Sequence, residues 1–339
     1  MLGICIRDPA DVAPFDGSGL RHVQTWYDVT GAACAHGYVG PSGRWIRWPE
    51  LVAFRFDEEG TIDAFPERNV DSAYVLALAR RTVVPLVLQA LGWETLHASA
   101  VQGSDGAIGF CGERESGKSM LAYTLGRRGY RQLADDMLVL DIGRGVHALE
   151  LPFDVRLRAE SCAYFGVNAG RGPFTDIASI DPRRDEATAN EPLSALFVLH
   201  RIDRGEPTVT RLSPTAAFTA VVAHLYCFDP HDAGARRRLL EHYLEIAASV
   251  PVYELRFAGG LDGLEAVMAC IEDAIGGYAE LTEDACCEIS SQALHHGGHG
   301  GHGGNSRNDP ALHVPSVLRG GALGGALDSA MQPDKPCLA

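Results

Sequence analysis

The chain has 339 residues, 46% of them hydrophobic, enough to bury a full core in one large or two smaller domains, which excludes a disordered protein. Its formal net charge is −15, from 44 acidic and 29 basic residues. Such a balance opposes non-specific binding to nucleic acid or to anionic membrane, so any anionic ligand must meet a local positive site.

In chain order, residues 1–8 lack the basic-then-apolar pattern of a signal peptide. Residues 20–66 mix aromatics with turn residues and read as short antiparallel strands: Arg44 to Trp48 alternates with period two, and Val52 to Phe56 makes a second strand before a polar turn at Asp57 to Gly60. These residues form a small β-rich subdomain, a lid or substrate-facing unit whose aromatics serve packing before ligand stacking. Residues 70–91 suit a buried helix bent at Pro85, and no run approaches the ~18 to 20 apolar residues needed to cross a bilayer. The expectation is a cytoplasmic protein with no membrane and no nucleic-acid partner.

A short strand at Leu96 to Val101, a turn at Gly103 to Gly106 and an apolar strand up to Cys111 form a hairpin. That strand feeds Gly112-Glu113-Arg114-Glu115-Ser116-Gly117-Lys118-Ser119, which fits G-x-x-x-x-G-K-[ST], and a helix begins at Met120. The pattern has a physical use. The first amides of a helix have no internal partner and carry the positive end of its dipole, and a polyphosphate satisfies both. Residues 112–120 are therefore the candidate nucleotide-binding segment, with Lys118 reaching the terminal phosphates and the Ser119 hydroxyl placed for Mg²⁺. The expected cofactors are ATP and Mg²⁺.

Beyond that helix, Asp135 and Asp136 interrupt an apolar strand running from Arg131 to Asp141. Adjacent strand residues face opposite ways, so one of them looks at the phosphates unless the strand is bulged. Paired acids beside such a loop can hold the metal and take a proton from a hydroxyl. Asp154, Arg156 and Arg158 alternate onto one strand face, where the arginines are either a fork for phosphate or carboxylate or a solvated surface. Residues 166–190 read as a long loop, 193–199 as a strand, 215–225 and 233–248 as helices, 250–257 as a strand and 261–275 as a last helix. Residues 277–339 are a Gly/His-rich, disordered tail, whose histidines could bind Zn²⁺ or Ni²⁺. The nine cysteines include no C-x-x-C pair and fit free thiols better than a disulfide framework.

Leu96-His97-Ala98-Ser99-Ala100-Val101, the glycine loop 112–119 and Leu133-Ala134-Asp135-Asp136 resemble, in that order, the HPr kinase-like group. Within it, residues 192–199 and 250–256 look like the smaller serine kinases that act on lasso-peptide precursors. The resemblance spans roughly residues 40–276. It implies an α/β fold: an HPr kinase-like P-loop domain with a mixed sheet over 70–276, the β-rich subdomain over 1–69 and the tail outside both. It also implies an ATP- and Mg²⁺-dependent kinase acting on a serine hydroxyl of a ribosomally made peptide. Asp136 takes the role of base, Asp135 assists at the metal with Ser119, and His97 lies near the transferring phosphate. Which aspartate is the base stays open, and His97 by itself reads as a core histidine. Where the family carries a glutamate and a glycine beside an arginine, this chain has Phe153 to Arg158, so HPr is a doubtful substrate and Arg156 and Arg158 are candidates for a peptide carboxylate. A small-molecule kinase acting on free serine, and a non-catalytic peptide-recognition module, are the alternatives. Relatives of this fold form oligomers, so a homo-oligomer is a further expectation.

Overall fold

The computed structural model describes residues 3–8, 15–27, 30–151, 153, 155–167, 170–171, 177–180 and 190–276. Asp154 and the expected tail, with its histidines, lie outside the described residues.

The first sheet has six strands, β1 (Gly3–Ile6), β2 (Arg21–Tyr27), β3 (Ala33–Gly40), β4 (Gly43–Trp48), β5 (Val52–Phe56) and β6 (Thr61–Pro66), in the order β1-β6-β5-β4-β3-β2. From β2 to β6 it is an antiparallel meander, and β1 joins its edge parallel to β6. The turn between β5 and β6 closes because Asp57 Oδ1 accepts the amides of Glu59 and Thr61, at 3.0 and 3.1 Å. One face buries Ile46, Phe54, Phe56 and Ile62 completely.

That face packs on a helical stretch built of α1 (Ser72–Leu78), a π-helical turn (Ala79–Val83) and α2 (Val84–Ala90). Val75, Leu78, Val83, Leu86 and Val87 share one apolar cluster with the sheet, and burial of each such side chain contributes about 1.5–3 kcal/mol. The helical stretch Ser72–Ala90 is 19 residues long and, by length and composition, apolar enough to cross a bilayer. This corrects the reading of the sequence, which found no apolar run of that length. Here the stretch lies largely within the core. Pro85 sits in the first turn of α2, and the irregularity falls in the π turn just before it.

The second sheet contains β7 (Glu94–Leu96), β8 (Ala98–Gly103), β9 (Gly106–Gly112), β10 (Arg131–Ala134), β11 (Leu138–Asp141), β12 (His147–Leu149), β16 (Asn190–Ile202), β17 (Thr208–Arg211) and β18 (Val252–Ala258). A smaller sheet holds β13 (Val155–Arg158), which leads into α4 (Ala159–Phe165), with β14 (Gly170–Arg171) and β15 (Ile177–Ile180), where the sequence suggested only a long loop after residue 166. β8 and β9 form the expected hairpin, β9 and β18 flank β16 in parallel, and the remaining neighbours are antiparallel, so the sheet is mixed. β16 is 13 residues long and alternates between two layers. Leu196 and Val198 face α5 (Pro214–Val222) and α6 (Ala233–Ser249), whereas Ala195, Phe197 and Leu199 face α3 (Lys118–Arg127) and α7 (264–276). Ser213 caps α5 ahead of Pro214, and Asp232 caps α6.

Two strands read as continuous in the sequence are broken. The run 96–101 divides at His97, and the run 131–141 divides at Asp135 and Asp136. Both breaks fall at the same place in space. Cys5, Cys111, Cys162, Cys227 and Cys270 are free, as expected, but Cys34 is disulfide-bonded.

Candidate active site

Parallel strands β9, β16 and β18 end at one edge of the sheet, and residues 112–119 leave β9 there to enter α3. The loop is tight. A Cβ on Gly112 would lie 2.5 Å from Ser116 Oγ and 3.0 Å from Leu199 Cβ, so only glycine fits. Gly117 caps α3 with φ 106°, a left-handed conformation, and gives no side-chain cap to the first helical amides. Arg201, on β16, fixes the loop from behind: its Nε donates to Ser116 O at 3.0 Å, its Nη1 donates to Ala258 O at 3.0 Å, and its guanidinium lies 4.5 Å from the Phe257 ring centroid.

Lys118 is buried, and its Nζ donates to the carbonyls of Gly112 and Glu113, each at 2.9 Å. Burial lowers the pKa of this amine. Ser116 Oγ is buried with no hydrogen-bond partner. A buried hydroxyl left without a partner costs about 1–3 kcal/mol, a cost that a phosphate oxygen would remove. Met120 contributes backbone only, since its side chain packs into the apolar cluster under α3.

The two aspartates stand in the break between β10 and β11, and Asp136 has φ 63°, a left-handed value uncommon for residues other than glycine. This sends the two side chains into different surroundings. Asp135 turns inward, where Ser99 Oγ donates to Oδ1 at 2.6 Å and the Arg156 amide donates to Oδ2 at 2.8 Å. The Ser119 hydroxyl is near enough to the same carboxylate to lower its pKa. Burial and the neighbouring charge of Asp136 push Asp135 up to about 6, against the pull of these hydrogen bonds. A carboxylate with a serine hydroxyl beside it, short of positive charge, suits a hard divalent cation, so Ser119 and Asp135 fit Mg²⁺. Among the described residues, no cluster of three or more His, Cys, Asp or Glu side chains forms a separate metal site.

Asp136 has other neighbours. Burial raises its pKa, but His97, Arg81, Arg156 and Lys118 outweigh burial and hold it below the ordinary carboxylate value. Arg81 Nε and Arg156 Nη1 lie 3.7 and 3.6 Å from Asp136 Oδ2. His97 Nδ1 is 3.1 Å from the Asp136 carbonyl; that oxygen can only accept, so the proton sits on Nδ1 and Nε2 carries the lone pair. Burial and then Lys118 push the imidazole down to about 4, which keeps it neutral at neutral pH. Tyr226 closes the group with its hydroxyl 3.5 Å from His97 Nδ1.

The candidates chosen from sequence thus converge, apart from Arg158. Val155 and Leu157 are buried and Arg156 reaches Asp136, but the Arg158 side chain is 57% exposed and pairs with Glu115 at the rim of the glycine loop. Glu115 and Arg114 are also a rim pair, 3.9 Å apart. Sequence reasoning missed Ser99, Arg81 and Tyr226. Arg81 had a signal: it follows Leu78 by three residues, on the stripe that the helix buries.

No family model and no curated protein matches the chain. Among solved structures, the chain is similar to the Hpr(Ser) kinase/phosphatase from Coxiella burnetii, at 14% identity over 53% of this chain and 95% of that chain, with a TM-score of 0.30.

Proposed function

We propose that the chain is an ATP- and Mg²⁺-dependent kinase that phosphorylates a serine hydroxyl on a ribosomally made precursor peptide. One observation carries the reading: Asp135 stands beside Ser119 of the glycine loop, while its neighbour Asp136 stands among His97, Arg81, Arg156 and Lys118. Two carboxylates in sequence have been given two tasks by their surroundings.

The α3 amides, Lys118 and Ser116 Oγ would hold the phosphates, and Ser119 with Asp135 would hold Mg²⁺. MgATP, when bound, supplies the phosphoryl group and a leaving group already neutralised by the metal. The chain does the rest. Asp136 orients the acceptor hydroxyl and takes its proton at Oδ1, since Oδ2 faces the two guanidinium groups. Neutral His97 holds the Asp136 backbone in its left-handed turn, which keeps the carboxylate aimed at the acceptor.

Incubation with ATP, Mg²⁺ and a serine-containing ribosomally made precursor peptide, read by mass spectrometry, tests the proposal. The expected result is one added phosphate on a serine, absent with Asp136→Asn. Phosphorylation of free serine but not of the peptide would replace the acceptor class. Tight ATP binding without transfer to either would make the protein a recognition module and overturn the kinase reading.

A further inference from the structure

Along β16 one alternation runs Ala195, Phe197, Leu199, three buried side chains packed toward α3 and α7, and its next member is Arg201. Where an apolar side chain would complete the row, a guanidinium stands at the end of the strand. It lies over the Phe257 ring, 4.5 Å from the centroid, and donates from Nε to Ser116 O and from Nη1 to Ala258 O. Three contacts hold a flexible side chain in one orientation. Both acceptors are neutral carbonyls and the residue is exposed, so a fixed cation meets solvent at the carboxyl edge of the sheet.

Its neighbours are glycines. A Cβ on Gly117 would lie 3.2 Å from Arg201 Nη2, and one on Gly259 would lie 3.8 Å from Nη1. Gly260 follows with φ 98°, and both Gly259 and Gly260 are exposed after β18. Glycine beside each terminal nitrogen keeps side chains off the guanidinium plane. The direction of a bound nucleotide leads to the same place. Under the kinase reading its terminal phosphates lie toward Lys118, Ser119 and Asp135, on the side of β9 where Ser99 of β8 holds Asp135. The rest of the molecule must then run over the ends of β16 and β18, and ligands of open α/β sheets bind outside the carboxyl ends of parallel strands. Arg201 stands there.

We infer that the Arg201 guanidinium is the platform on which the base of the bound nucleotide stacks, with the Phe257 ring as its support. The inference rests on the kinase reading above and deepens it by naming the nucleotide class. A flat cation attracts the π-face of a base without reading its edge, so adenine and guanine are held alike. The phosphoryl donor is then a purine nucleoside triphosphate, GTP as well as ATP. Arg201 is a specificity-determining residue in addition to its hold on Ser116 O.

Calorimetric titration of the full chain in Mg²⁺ with three probes, ADP, GDP and pyrophosphate, tests this. In the native protein the two nucleotides should bind within about threefold of each other, and each roughly tenfold or more tighter than pyrophosphate, the size of one stacked base. Arg201→Gln should bring the ratio of nucleotide to pyrophosphate affinity close to one. Gly259→Val gives a second reading should Arg201→Gln unfold, because its new Cβ meets only Arg201 Nη1 and sets a side chain against the platform. Damage to the loop alone would weaken all three probes by one factor; a ratio that survives both substitutions in this way overturns the platform. Pyrophosphate bound as tightly as the nucleotides by the native protein, or a larger preference for one purine, overturns it too and leaves the kinase reading standing. Failure of the native protein to bind any of the three sinks both. A base-dependent ratio in a chain that transfers no phosphate to peptide or serine keeps the platform and sinks the kinase reading.

Discussion

Asp135 and Asp136 differ by one position and by almost everything else. Asp135 is held by hydroxyls and an amide against the helix that follows the glycine loop, and Asp136 stands among cations at an open mouth. Under the proposed function the two amide variants should therefore fail differently. Asp136→Asn should lower kcat by roughly 10²- to 10⁴-fold, the range for loss of a general base, with MgATP affinity unchanged. Asp135→Asn should instead shift the Mg²⁺ concentration needed for half-maximal rate. Steady-state kinetics over a Mg²⁺ series separates them, and identical profiles would refute the division of roles. The left-handed backbone at Asp136 is what makes the difference possible, and period-two strand reasoning could not supply it. That reasoning put one acid on each face of a continuous strand, and the pair turned out to be the point where the strand ends.

At the scale of elements, most of the fold was legible. Turn chemistry at Asp57 and Gly103 to Gly106, the period of β4 and β5, and the caps at Ser213 and Asp232 are local signals, and each marks an element that forms where the signal stands. What the chain's pattern hid was tertiary. Arg81 reaches the site through a turn whose irregular geometry no periodicity announces, and Tyr226 comes from the segment after α5, brought in by an isolated bridge between Leu96 and Leu225. Beside that bridge, Glu94 on β7 meets His242 on α6, with His242 Nδ1 2.7 Å from Glu94 Oε1. The hydrogen bond with Glu94 raises the His242 pKa, against burial. The imidazolium form is thus favoured in the folded state, so the contribution is complete below the unfolded value near 6.5 and is lost as pH rises through the folded value. Comparison of denaturant unfolding between native protein and Glu94→Gln should show a gap of about 2 kcal/mol just below pH 6.5, which narrows above it as His242 loses its proton and again in acid, where Glu94, its pKa raised by burial, becomes protonated. A gap that widens as pH rises above 6.5 would contradict this.

For the molecule as a whole, the six-stranded sheet and the helices behind it are one apolar body. Phe56 packs edge-on to Phe228 with ring centroids 5.1 Å apart, and the cluster runs on through Val75, Leu86 and Val139. Removal of residues 1–69 should accordingly leave a protein without a cooperative thermal transition, because the face of α1 and α2 loses its cover. Circular dichroism melting of the truncated chain checks this, and a sharp transition near that of the full chain would show two independent units. The long strand β16 has a consequence of another kind. From Leu196 to Leu199 it is bonded to β9 on one side and β18 on the other, with helices over both faces. Its amide protons have no local route to water, so in deuterium they should persist until the entire chain opens, while those of residues 113–116 are replaced early. The glycine loop would then be the fast clock and the strand beneath it the slow one, a separation of timescales built from a single run of thirteen residues.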